Sequence, residues 1–121
     1  MEPYLNSLVG FHQNWNDSDN ICLSIDEDLF FFERDSLDVY YGHYFCKSRG
    51  KEVLERSNQI LFCMFETHGA KVIKGLTPMC NLPARWLSRK LGFSSYGTID
   101  TIVEPMELFI LTKNEWEKIH E

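Results

Sequence analysis

The chain is poor in several things, and each shortage excludes a class of protein. Four prolines and seven glycines in 121 residues do not make a collagen-like or Pro/Gly-rich disordered tract. No apolar run approaches the ~20 residues that cross a bilayer as a helix, so no membrane partner is expected. Cys22, Cys46, Cys63 and Cys80 form no C-x-x-C pair. His12, His43, His68 and His120 form no H-x-x-x-H or H-x-x-E-H. Metal-ligand spacing is therefore lacking, and no metal is expected. The first residues show no basic stretch leading into an apolar secretory core, so the expectation is a cytoplasmic protein with reduced thiols. Lys and Arg number 12 against 18 Asp and Glu, a formal charge of −6. Wrapping nucleic acid needs a basic excess, so no direct nucleic-acid binding is expected.

Bases are scarcest in the first half. Residues 1–46 hold nine carboxylates and one base, Arg34. Residues 47–121 hold nine acids and eleven bases, so the two segments carry −8 and +2. The imbalance suggests one acidic face, or simply a solvated acidic surface.

What is present suffices for a core. Hydrophobic residues make up 44% and aromatics 14%, which suits one domain over residues 1–121. Tyr4, Leu5, Leu8 and Val9 share helical spacing within residues 2–11. Strand-like runs follow at 21–25, 29–33 and 37–45, separated by an acidic turn at Asp26–Asp28 and a second turn at Asp35–Ser36. The apolar period then becomes helical from Gly50 to His68, with Gly69 as the stop. Residues 70–76 read as a buried strand that Pro78 ends. Asn81 suits a helix N-cap and Pro83 a first turn, giving a helix over 82–91 that closes at Gly92. Strands are expected near 93–101 and 105–112, then one or two helical turns over 113–120. The order implies a mixed α/β (α+β) fold, a mostly antiparallel sheet flanked by helices.

Residues 75–93, GLTPMCNLPARWLSRKLGF, resemble the Gcn5-related N-acetyltransferase (GNAT) superfamily. Asn81, Ala84, Leu91, Gly92 and Phe93 fall at its strand–Asn–helix–Leu-Gly-Phe spacing, and ELFILTK at 107–113 resembles its last strand. The element order agrees over about residues 21–112, with the N-terminal part shortened. The resemblance implies two splayed strands with acetyl-CoA between them. It also implies a Q/R-x-x-G-x-G/A loop that offers backbone N–H groups to the pyrophosphate. Under that implication Arg49, Gly50, Lys51 and Asn81 are the candidate cofactor-binding residues.

Two departures stand out. Glu52 and Leu54 occupy the loop's glycine and glycine/alanine positions, bringing a like charge and bulk toward the pyrophosphate. Ser88 occupies the position of the tyrosine that protonates the departing thiolate in many members, and serine is a poor acid. Glu33, Asp38 and His43 are the candidate general bases on the middle strands, with no catalytic residue assigned. Two basic clusters, Lys47/Arg49/Lys51/Arg56 and Arg85/Arg89/Lys90, suit either an anionic ligand or pairing with nearby acids and helix ends. In Leu29–Phe32, Phe31 faces away from Phe30 and Phe32, which hints at a protein partner. These features resemble small GNAT-like proteins of tailed phages. They give the leading expectation of a non-catalytic virion-assembly or interaction module, without cofactor, in the host cytoplasm or virion. The alternative is an acetyl-CoA-dependent N-acyltransferase with a variant loop.

Overall fold

Alternating apolar residues over 21–45 and helical spacing over 53–65 sort the chain into a sheet and the helices that cover one of its faces. The computed structural model describes residues 19–121. The helix expected at 2–11 lies outside the described residues.

Among the described residues six strands form one sheet: β1 (Ile21–Ile25), β2 (Asp28–Ser36), β3 (Val39–Phe45), β4 (Val72–Pro78), β5 (Ser94–Asp100) and β6 (Pro105–Thr112). Their spatial order is β1-β2-β3-β4-β6-β5. Every neighbouring pair is antiparallel except β3 and β4. Those two are joined by α1 (Gly50–Phe62), which ends in a π-helical turn, Cys63–Thr67. Two shorter helices follow, α2 (Leu82–Lys90) and α3 (Lys113–Ile119). This is the mixed, mostly antiparallel layer fold expected.

One core lies between the sheet and the helices. Phe30, Phe32, Tyr40, Ile73 and Leu111 from the strands meet Val53, Ile60, Leu61, Met64 and Phe65 of α1 and its π turn. Leu87 of α2 and Trp116 of α3 join the same cluster. Gly92 is required on two counts: its φ is +101°, and a Cβ would stand 2.3 Å from Ile119 Cδ1. The glycine lets α3 lie against the end of α2.

Some expectations shift. The turn placed at Asp35–Ser36 falls at Leu37–Asp38, because a bulge between Arg34 and Ser36 lengthens β2. Asp38 takes the left-handed backbone there, φ +62°. Asp28 is no turn residue: it pairs with Ile25 as the first residue of β2 and is 1% exposed. The α-helical part of the long helix stops at Phe62, where the π turn begins, so that Met64 and Phe65 remain buried. Phe31 is buried within the chain, so its ring is no open docking surface.

Among the described residues, carboxylates of the acidic first half meet bases, mostly from the second half. Arg56 reaches Asp26 and Asp28 at 2.9 and 3.1 Å, Lys74 reaches Asp35 at 3.4 Å, and Lys47 reaches Glu27 at 3.5 Å.

Candidate active site

The parallel ladder between β3 and β4 is short. It pairs Val39 with Val72, Tyr40 with Ile73 and Tyr41 with Lys74, and ends there. Beyond this rung β2 still pairs with β3, and β6 with β4, out to Phe45 and Pro78. The two central strands therefore part, leaving a cleft with its apex at Tyr41 and Lys74. Both strands run toward the open end, where α1 and α2 begin. Crevices outside the carboxyl ends of parallel strands are where α/β sheets take ligands.

At the open end, α1 starts without a side-chain cap. Arg49 is extended (φ −139°, ψ 162°) and Gly50 turns left-handed at φ +61°. A Cβ at Gly50 would meet no atom within 4 Å, so its backbone conformation, not crowding, calls for glycine. The first-turn N–H groups of Gly50, Lys51 and Glu52, all exposed residues, could cradle an anion at the positive end of the helix.

The two loop departures are turned elsewhere. Glu52 Oε2 lies 3.6 Å from Arg56 Nη2, one turn up the helix. Leu54 packs against the core. The expectation of a chain without cofactor rested on these two residues, on Ser88 and on the shortened N-terminus; of the two loop side chains, one turns to Arg56 and the other to the core.

Asp28 sets the course of the loop. Its Oδ1 accepts the N–H of Lys47 at 2.8 Å and of Ser48 at 3.1 Å, and its Oδ2 accepts the Ser48 hydroxyl and Arg56 Nη1. Burial opposes its ionisation, but these hydrogen bonds hold its carboxyl at about 2. Sequence reasoning missed Asp28 and Ser48, since no spacing signal links residues 19 and 20 positions apart.

The candidate binding residues divide. Arg49 Nη1 donates to the carbonyls of Cys46 and Ser48 at 2.6 and 2.8 Å, so it braces the loop. Lys51 is 89% exposed, with Glu55 at 4.0 Å. Asn81 caps α2, its Oδ1 accepting the Ala84 N–H at 3.2 Å. Two members of the second basic cluster pair with a buried acid: Arg85 Nε and Arg89 Nη2 donate to Glu107 at 2.7 and 2.5 Å.

The candidate bases divide as well. Asp38 sits at the closed end of β3, 3.8 Å from Lys71 Nζ. Glu33 and His43 are diagonal neighbours on β2 and β3, on the sheet face away from α1, with Glu33 Oε1 3.6 Å from His43 Nε2. His43 lies two residues beyond the apex, roughly 7 Å along the wall of the cleft. Burial pushes its pKa down while Glu33 pulls it up; burial prevails, so the imidazole is neutral at pH 7. Cys46, beside the loop, is no nucleophile: burial and the Asp28 charge push its thiol up to about 12. A hollow of about 540 Å³ among Asn20, Arg34, Tyr40 and His68 lies toward the other end of β3 and holds none of these groups. Among the described residues no three His, Cys, Asp or Glu side chains are grouped to hold a metal, and no helix is long and apolar enough to cross a membrane.

No protein-family model matches the chain, and no curated protein matches it by sequence. Solved structures do. The spermidine/spermine N-acetyltransferase SpeG of Vibrio cholerae superposes with a TM-score of 0.73 at 12% identity, over 96% of this chain and 81% of that one. Mycobacterium smegmatis RimJ, in complex with CoA-disulfide, gives 0.70 at 14% identity over 93% and 62%. The aminoglycoside acetyltransferase AAC(6')-Ib, in complex with coenzyme A, gives 0.66 at 17% over 78% and 64%. The chain thus spans less than two thirds of the last two proteins. At these identities the likeness shows the fold, which is that of the GNAT acetyltransferases. The leading expectation, a non-catalytic virion-assembly module, does not stand: the structural neighbours are acetyltransferases, two of them holding coenzyme A or its disulfide.

Proposed function

We propose that this chain is an acyl-CoA-dependent N-acyltransferase acting on an amine. The observation that carries this reading is the uncapped N-terminus of α1, with Gly50 left-handed, at the open end of the β3–β4 cleft. The residues fit the group. The N–H groups of Gly50, Lys51 and Glu52 would hold a pyrophosphate, with the exposed Lys51 ammonium adding positive charge. Acetyl-CoA, when bound, would supply an activated thioester acyl group.

The chain's own part is to orient the acceptor and move a proton. The attacking amine must lose a proton as its C–N bond forms. Neutral His43 would accept it on its imidazole, whose Nε2 stands 3.6 Å from Glu33 Oε1, and that carboxylate would stabilise the resulting imidazolium. Ser88 is half-buried on α2, and a serine hydroxyl is too weak an acid to serve the departing thiolate; solvent would supply that proton.

Calorimetric titration should show micromolar acetyl-CoA binding, and free thiol should appear on incubation with a panel of amines. Failure to bind overturns the reading. His43→Gln should lower kcat about 10²–10⁴-fold with little change in stability. Because the folded pKa of His43 lies below its usual 6.5, activity should fall only as pH drops below that value. An acid limb that is unchanged in His43→Gln would remove His43 from the mechanism.

A further inference from the structure

We infer that Asp28 is a positioning residue for the cofactor cradle, the buried carboxylate that gives α1 an open N-terminus. The inference rests on the acyltransferase reading and adds to it a residue from outside the loop. Asp28 is 1% exposed and stands on β2, next to β3. Its Oδ1 gathers two consecutive backbone N–H groups, of Lys47 and Ser48. Those amides come just before the cradle, and fixing them inward sets the direction in which the chain enters Arg49 and Gly50. Arg49 braces the same bend from the other side, through the carbonyls of Cys46 and Ser48. The chain reaches α1 with its first N–H groups unused by any side-chain cap.

A carboxylate this close to a pyrophosphate site would ordinarily repel the ligand. Here Arg56 pairs with it. The same guanidinium contacts Asp28 at 3.1 Å, Asp26 at 2.9 Å and Glu52 at 3.6 Å. Arg56 therefore also directs the one acidic side chain of the cradle away from the helix start. Two views make opposite forecasts. If Asp28 acts as a repelling charge, neutralising it tightens coenzyme A; if it positions the loop, neutralising it weakens coenzyme A.

The test compares wild type, Asp28→Asn and Trp116→Phe, a destabilised control at the α3 end of the core. Binding is measured for acetyl-CoA and for S-acetylpantetheine, which lacks the pyrophosphate. Asp28→Asn should raise the Kd and KM for acetyl-CoA at least tenfold. It should leave the S-acetylpantetheine Kd and the kcat at saturating acetyl-CoA within about twofold. Trp116→Phe should lower the Tm and move neither Kd. Should Asp28→Asn fail to fold, Ser48→Ala removes one bond to the carboxylate, and a threefold loss for acetyl-CoA alone is expected. Equal loss for both ligands, unchanged binding, or tighter acetyl-CoA binding would overturn the inference while leaving the acyltransferase reading intact. A wild type that binds no acetyl-CoA would overturn that reading, and the inference with it.

Discussion

The sheet holds two buried carboxylates, one on each side of the cleft, and they do different jobs with the same chemistry. Asp28 on β2 is 1% exposed and Glu107 on β6 is 4% exposed. Each accepts a serine hydroxyl, from Ser48 and Ser95, and each meets arginine. Both are held below the usual carboxylate range: burial opposes this in each case, and the hydrogen bonds overcome it. The difference lies in the remaining partners. Asp28 takes two main-chain N–H groups and so decides where a loop goes. Glu107 takes two side chains of α2, Arg85 and Arg89, and so fastens a helix whose path its own hydrogen bonds already fix. A buried charge shapes the backbone only when the backbone itself has nothing else to bond.

That contrast can be broken by experiment. Asp28→Ala leaves two amides and a hydroxyl unsatisfied and should cost about 3–5 kcal/mol in urea denaturation. Glu107→Gln keeps an acceptor for arginines that are partly solvated and should cost less, about 1–3 kcal/mol. Equal losses would show that the amide contacts add nothing. Acid titration sharpens the same point. The native protein binds fewer protons than the unfolded chain between the ordinary Asp value of 3.8 and about 2, so stability rises with pH across that window. Asp28's contribution is complete above 3.8 and is lost toward 2. Asp28→Asn should flatten that limb of the Tm-against-pH curve, and Glu107→Gln should flatten it less. Gly50→Ala should have the smallest effect, about 1–2 kcal/mol from the left-handed backbone alone, since its Cβ meets open space.

Much of the fold was legible because local chemistry determined it. The Asn81 cap, the Gly92 stop and the α1 apolar stripe each fit one conformation, and the structure uses each that way. The Leu37–Asp38 turn was not legible, because it follows from a bulge and from an aspartate that accepts positive φ. The site was legible only by position. Arg49 to Leu54 marked where an anion cradle belongs, but the identities of Glu52 and Leu54 argued against one. Their directions reverse that argument, and direction depends on Arg56 and on the core. Asp28 was hidden among three consecutive acids, Asp26–Asp28, of which it alone is buried.

The separation of charge along the chain also bears on the order of assembly. The β1–β3 meander carries acids whose partners come later: Arg56 for Asp26 and Asp28, Lys71 for Asp38, Lys74 for Asp35. During synthesis the meander emerges first, with its carboxylates mutually repelling. The strongest of them, Asp28, is buried with no countercharge until α1 exists. The meander is therefore expected to fold only together with the helix and β4, which bring those partners. A released fragment ending at Phe45 should stay open to protease, whereas one extended past Thr77 should begin to resist it.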